Sequence, residues 1–500
     1  MNFNPNDMVG LLPAVILTIG GCALMTTEVF LRKDAADRRY QPFLAALFGL
    51  VGLWVSISQL GDPTASLFGG AAVADGLGRS IAAVICGTLV LSSLLAFGYL
   101  ETLQAARGEF YALALFSAAG MCLLAQATDL IVIFIALEVM SLAVYCLTAW
   151  LRKGKRPAEA AFKYFVLGSF ASAIFLYGAA LSFGATGTTR VLDLALAVRN
   201  PLSSSTPLVY AAGALLIAGF AFKVAAVPFH MWLPDVYEGA PAPVTGFMAA
   251  GVKAAAFAAL ARILIGGYGD VAAAMGNHGW QSVITWLAAA TMLLGNLLAV
   301  PQRSVKRMLA YSSIAHAGYL LVAIAAMAGS EPRGDATFGL VFYLASYAAT
   351  VLGAFGVVAL IERKLAVTDS SDDLSTWAGL SQKHPMLAAA MSLFMFSLAG
   401  VPPTAGFMGK LGIFRAAVDA GLMKLAIFGV LTSAAGLYYY LRVVVYVYMV
   451  PSTKPEPVVG GRMLTAGFAL ATCAALVIWM GVQPGAFASM AQSTLASFGR

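Results

Sequence analysis

The sequence predicts an all-α, polytopic membrane protein, and three observations carry that prediction. Of the 500 residues, 60% are hydrophobic and only 11% are charged, where an ordinary soluble domain carries roughly a quarter charged residues. The mean hydropathy is +0.85. Apolar runs of about twenty residues, the length that crosses a bilayer, recur along nearly the whole chain. A soluble protein of this length would need several domains, each with a polar surface that the composition cannot supply. Soluble enzymes, DNA-binding domains and disordered chains are thereby excluded.

About fourteen spanning runs are expected, near 9–31, 42–60, 79–99, 110–127, 129–150, 160–183, 207–229, 241–265, 281–300, 305–328, 336–361, 385–418 (interrupted), 422–449 and 463–483. The connections are short, and the largest polar ones are 184–206 and 362–384. None could hold a soluble domain, so any redox cofactor must sit on another chain. The start is not a cleavable signal: it lacks a basic region, and Asn2, Asn4, Asn6 and Asp7 precede a first apolar run that ends at Arg32 and Lys33.

The net charge of +7 reflects basic loops and not a nucleic-acid surface. Loops after odd-numbered helices hold Arg32, Lys33, Arg38, Arg39, Arg152, Lys153, Lys155, Arg156, Arg303, Lys306, Arg307, Arg363 and Lys364. That side carries about eighteen basic residues against about seven on the other, which puts both termini outside the cytoplasm. The cysteines (Cys22, Cys86, Cys122, Cys146 and Cys473) lie singly in apolar runs. No C-x-x-C or Cys/His cluster supports a zinc or iron–sulfur site, and they read as small buried core residues.

Setting aside the loops and Arg500, four basic residues remain inside apolar runs: Lys163, Lys223, Lys253 and Lys410, with Glu138 as the acidic counterpart. A charge at the bilayer centre costs about 2.5–3.5 kcal/mol or more. Several would not persist unless they faced one another, or water, within the bundle.

Glu138 lies in DLIVIFIALEVMSLAVYCLTAW, with Ser141 and Tyr145 following on one helical face. A structural glutamate bonded to a neighbouring helix is the alternative. Asp129, nine residues earlier, reads as a cap at the helix end. Lys223 sits in AGFAFKVAAVPFHMWLPD, and Pro228 should break that helix, freeing carbonyls near the ammonium. Lys410 sits in SLAGVPPTAGFMGKLGIF, where Pro402 and Pro403 interrupt the run and a positive helix start should follow close to the lysine. Two broken helices, each with a lysine, are the sequence pointer to an internally repeated transporter. Lys253 has no polar neighbour on its own helix nearer than Thr245, so its partner must come from another helix or from water. His316 shares a face with Ser312 and Ser313 and can relay protons or simply pack. Lys163 is expected to snorkel, Glu28 to sit at the interface one turn from Arg32, and His230, Asp235 and Glu238 to lie in a loop after the first break. Opening and closing a Glu138–Lys223 pair would switch Lys223 between holding and releasing a proton. No hydrolytic triad, phosphate loop or metal cage is present, so the chain moves charge and does not make bonds.

The stretches LEVMSLAVYCL, FKVAAVPFHMWLPDVYEGAPAPVTGFMA, KRMLAYSSIAHAGY and VPPTAGFMGK resemble the antiporter-like membrane subunits of respiratory complex I, the proton-pumping NADH:quinone oxidoreductase. Among the three kinds, the N type is the most similar: no lateral amphipathic helix follows the last run, and Lys410 stands where the M type carries a glutamate. The resemblance implies two inverted repeats of five helices, each with one discontinuous helix, and hence a division into 1–109, 110–267, 281–449 and 450–500. It implies a proton route through Glu138, Lys223, Lys253, His316 and Lys410. It further implies flavin, iron–sulfur clusters and quinone on partner subunits, and neighbouring membrane subunits and lipids as partners, with no nucleic acid. A bacterial inner membrane is the expected location. A subunit of a Mrp-type cation/proton antiporter is the alternative.

Overall fold

The computed structural model describes residues 5–30, 39–151, 155–199, 206–269, 279–328, 333–365, 373–451, 464–485 and 487. The expectations resting on Asn2, Asn4, Arg32, Lys33, Arg38, Arg152, Lys153 and Arg500, and on the side chains of Asn6, Lys155, Arg363 and Lys364, lie outside them.

In chain order the helices are α1 (Leu12–Phe30), α2 (Gln41–Ser58), α3 (Gly76–Thr102), α4 (Gly108–Gln126), α5 (Leu130–Thr148), α6 (Lys155–Thr186), α7 (Val191–Arg199), α8 (Thr206–Lys223), α9 (Trp232–Gly239), α10 (Ala242–Gly267), α11 (Trp280–Ala299), α12 (Val305–Ala326), α13 (Arg333–Leu365), α14 (Pro385–Ala399), α15 (Ala405–Asp419), α16 (Met423–Tyr448) and α17 (Leu464–Val482). A short hairpin, β1 (Ala65–Leu67) with β2 (Ala72–Ala74), precedes α3. It was not anticipated, and neither was α7, which forms inside the polar stretch 184–206.

Among the described residues, 12 helices are long and apolar enough to cross a membrane, and two apolar helices, Pro207–Lys223 and Pro385–Ala399, are shorter. Those two end at the breaks expected from Pro228 and from Pro402 and Pro403. Helices α10, α12 and α13 form the buried centre. The outer helices turn bulky apolar side chains outwards, including Phe43, Trp54, Trp286, Leu431 and Phe468. Water would not tolerate such a surface, whereas hydrocarbon does. Close packing relies on small residues: a Cβ on Gly318 in α12 would lie 2.7 Å from the Met292 nitrogen of α11.

The ends of α8 and α14 are built alike. Ala226 N donates to Ala221 O (2.8 Å) and Ala225 N to Phe222 O (3.0 Å). Val401 N donates to Phe396 O (2.9 Å) and Gly400 N to Ser397 O (3.0 Å). Each is the Schellman pattern, with Ala225 (φ 58°) and Gly400 (φ 83°) in the left-handed position. The Val227–Pro228 and Pro402–Pro403 peptides that follow are both cis. In both places the chain therefore caps two carbonyls of the last turn, turns, and restarts as a second helix.

Candidate functional site

Lys223 is the last residue of α8 and is buried. Its ammonium donates to Ser141 Oγ (2.8 Å) and Tyr145 Oη (3.3 Å) on α5. It lies 5.6 Å from the centre of the Tyr145 ring and 5.9 Å from that of Tyr164. Tyr164 stacks on Trp232, the first residue of α9, at 4.5 Å. The freed carbonyls expected at this ammonium are used elsewhere: Phe222 O accepts the Trp232 indole N–H (3.0 Å) as well as the cap.

Glu138 sits on the same face of α5, one turn before Ser141, and is half-buried. Its Oε1 is enclosed without a hydrogen-bond partner. The expected Glu138–Lys223 pair is thus open in this structure, because the lysine bonds the hydroxyls further along the helix. Ile135, Val139 and Leu142 flank Glu138 on the exposed side of α5, so the carboxylate stands near the rim of the bundle. Asp129 is the N-cap of α5, accepting from Ile131 N (2.8 Å), as expected of a cap.

Lys253 finds its partner on α12. Its ammonium donates to Ser313 O (2.5 Å) and Ser313 Oγ (2.7 Å) and lies 5.0 Å from the centre of the Tyr347 ring. The helix carrying it contains two π-helical segments, Met248–Val252 and Arg262–Gly267, a feature common near functional sites. Next along α12, His316 is held between two phenols: Nδ1 to Tyr343 Oη (2.5 Å) and Nε2 to Tyr440 Oη (3.0 Å). Tyr440 in turn meets Ser312 Oγ at 2.5 Å.

Lys410 corrects an expectation. It lies in the second turn of α15, yet its ammonium does not stay at that helix start. It reaches back across the break to Leu398 O (2.8 Å) and Ala399 O (3.1 Å), and to Ser433 Oγ (2.8 Å). The ammonium thus satisfies orphan carbonyls at the negative end of α14. Tyr319 covers it at 5.1 Å, and Asn296 joins Tyr319 (3.1 Å) to Tyr439 (3.0 Å).

Lys223, Lys253, His316 and Lys410 are therefore all buried, and Glu138 is half-buried. Lys163 is not among them: it lies in the outer ion network with Glu159 (2.7 Å) and Asp235 (2.9 Å). Arg307 joins that network through Asp235 (2.8 Å) and Glu238 (2.9 Å), and both carboxylates sit on α9 and not in a loop. Burial pushes the Asp235 carboxyl up, but the ammonium of Lys163 and the guanidinium of Arg307 outweigh it and hold it below the usual carboxylate range. Glu28 accepts hydrogen bonds from the Gln41 amide and from Gly108 N.

Charges counted with the loops also prove buried. Arg262 grips Asp75 through two bonds of 2.6 and 2.8 Å, and Lys306 pairs with Glu362 at 3.0 Å. Arg79 donates to the carbonyl oxygens of Asp62 (2.5 Å) and Pro63 (3.2 Å). Each lies close to the end of an apolar run, where position alone does not distinguish a loop from a buried helix turn. Among the cysteines, Cys86, Cys122 and Cys473 are buried, but Cys22 and Cys146 face outwards. Among the described residues, no group of His, Cys, Asp and Glu could hold a metal ion.

Lysines buried beside broken helices, each bonded to a hydroxyl of a neighbouring helix within a multi-helix bundle, define an ion-moving membrane protein of the secondary-transporter kind. The family model described as NADH:quinone oxidoreductase/Mrp antiporter, TM, matches residues 127–436, and the chain belongs to that family. It is 45% identical over 527 aligned positions to NADH-quinone oxidoreductase subunit N of Myxococcus xanthus (strain DK1622), covering 100% of this chain and 99% of that protein. A chain of respiratory complex I from Thermus thermophilus with bound aureothin is 33% identical, with a TM-score of 0.78 over 95% of this chain and 97% of that one. A chain of the Mrp complex from Dietzia sp. DQ12-45-1b shares the fold, with a TM-score of 0.81 at 21% identity over 99% of this chain and 98% of that one.

Proposed function

We infer that this chain is the N-type, proton-translocating membrane subunit of an NADH:quinone oxidoreductase, driven by redox chemistry in other subunits. The observation that carries the reading is the burial of Lys223, Lys253, His316 and Lys410 in a bundle with two equally built helix breaks. Its likeness to the curated N subunits along the whole chain favours it over the Mrp-type alternative, which rests on shared fold.

Each lysine holds a proton on a defined set of acceptors: Ser141 and Tyr145 for Lys223, Ser313 for Lys253, and Leu398 O, Ala399 O and Ser433 for Lys410. A hydroxyl both donates and accepts, and a neutral imidazole donates from one nitrogen while accepting at the other. Ser312, Tyr440, His316 and Tyr343 can therefore pass a proton along hydrogen bonds already made. Closing the open Glu138–Lys223 pair would hold a proton on Lys223, and opening it would favour passing it on. The matching breaks support assigning one break-side lysine, Lys223 or Lys410, to each repeat, 110–267 and 281–449.

On this reading flavin, iron–sulfur clusters and quinone belong to partner subunits, and neighbouring antiporter-like and small membrane subunits cover part of the outer apolar surface, lipids the rest. The bacterial relatives support an inner-membrane location, and the basic residues in loops after odd-numbered helices support both termini outside the cytoplasm. Replacing Lys223 or Glu138 by alanine should abolish or sharply reduce proton pumping coupled to NADH oxidation while the complex still assembles. Full pumping in both variants would end the reading.

A further inference from the structure

We propose that the Lys306–Glu362 pair, its lysine buried and its carboxylate partly so, is a positioning device that sets the contact between Lys253 and Ser313. Lys306 stands two turns before Ser313 on α12, about 10 Å along the axis and on the same face. Its ammonium donates to Ala240 O (2.7 Å), just ahead of α10, and to Glu362 Oε1 (3.0 Å) at the end of α13. The other oxygen of Glu362 accepts from Ala242 N (3.4 Å), in the first turn of α10, and from Tyr99 Oη (3.1 Å) on α3.

Two lysines therefore cross between the same two helices in opposite directions. Lys306 reaches from α12 to the start of α10, and Lys253 reaches from α10 back to Ser313 of α12. Both contacts follow the same order along their helices, so the anchor at the start of α10 and the Lys253–Ser313 contact lie at successive levels of the same two helices. Glu362 holds that anchor by binding one group from each. If the anchor slips axially by a fraction of a turn, the Ser313 carbonyl and hydroxyl leave the Lys253 ammonium together. Tyr99 ties the same carboxylate to α3, which leaves the anchor little freedom.

The inference rests on the reading of Lys253 as a proton station, and one set of variants separates the two. NADH-driven pumping per NADH oxidised is measured in membrane vesicles for Ser313→Ala, Glu362→Ala, the double variant and Glu362→Gln, each at matched content of assembled complex. Positioning predicts a several-fold loss in each single alanine variant, no further loss in the double variant, and partial recovery with glutamine, which keeps the length and one of the two acceptor oxygens. Losses that multiply in the double variant would overturn the proposal while leaving Lys253 as a station. Normal pumping in Ser313→Ala would instead count against the station itself. Should Glu362→Ala not assemble, the cycle is run with Lys306→Gln, on the same expectation of no added loss and with the same overturning result.

Discussion

The ammonium of Lys410 and the carbonyl oxygen of Leu398 meet at 2.8 Å across the second helix break. A residue twelve positions further along the chain thus completes the end of the helix before it. The first break has no such return: Lys223 precedes its turn and bonds outwards to α5. Two breaks with the same backbone therefore carry their lysines on opposite sides, one before and one after the turn.

Replacing Lys410 by methionine should destabilise the protein, because Leu398 O and Ala399 O would lose their side-chain donor deep in the bundle. An unsatisfied buried carbonyl costs about 1–3 kcal/mol. Thermal unfolding of the solubilised complex should show the loss, and pumping should fall with it. Unchanged stability would mean that water takes over both carbonyls.

Gly168 makes room for the Tyr145 hydroxyl, which a Cβ at that position would strike. Gly168→Ala should displace Tyr145 from Lys223 and remove one of two acceptors from the ammonium. A hydrogen bond to a charged group contributes about 1.5–3 kcal/mol. Gly168→Ala and Tyr145→Phe should therefore lower pumping to a similar degree. A silent Gly168→Ala beside an impaired Tyr145→Phe would contradict the packing described.

The Arg262–Asp75 pair joins the end of the Lys253 helix to the start of α3, and both side chains are buried. Removing one partner from a buried pair costs about 3–5 kcal/mol. Asp75→Ala should reduce the amount of assembled protein in membranes. Arg262→Lys should restore little of the forked contact, since an ammonium cannot make it. Measured yields of the two variants check this.

Asp235 supplies a pH test. Its folded carboxyl titrates below its unfolded value, so its contribution is present above the unfolded value, about 3.9, and is lost as pH falls through the lower folded value. The stability difference between the wild type and Asp235→Asn should be constant from pH 5 to 8 and shrink below about pH 4. A difference unchanged at pH 3 would show that Lys163 and Arg307 do not hold the carboxylate.

Much of this arrangement was legible in the sequence. A charged residue in a long apolar run is costly enough to announce itself, which is why Lys223, Lys253 and Lys410 stand out. Proline and glycine mark both breaks through backbone chemistry alone. The partners were less visible. Tyr343, Tyr347 and Tyr440 are ordinary residues of apolar helices, and only packing shows that the hydroxyls of Tyr343 and Tyr440 converge on His316 and that the Tyr347 ring covers Lys253. Lys306 and Glu362 sit where a run meets a loop, so hydropathy assigns them to water although the fold buries Lys306. The turn of the Lys410 side chain depends on the Schellman cap at Gly400, which leaves the carbonyls of Leu398 and Ala399 open; residue order alone does not reveal that geometry.

On the proposed function, protons pass along the buried lysines of this chain. The most direct measurement is the number of protons moved per NADH oxidised by the intact complex in proteoliposomes, with Lys253→Met and Lys410→Met compared to the wild type. The account predicts a lower ratio in both variants, with each complex still assembled. A ratio equal to that of the wild type in both would contradict it.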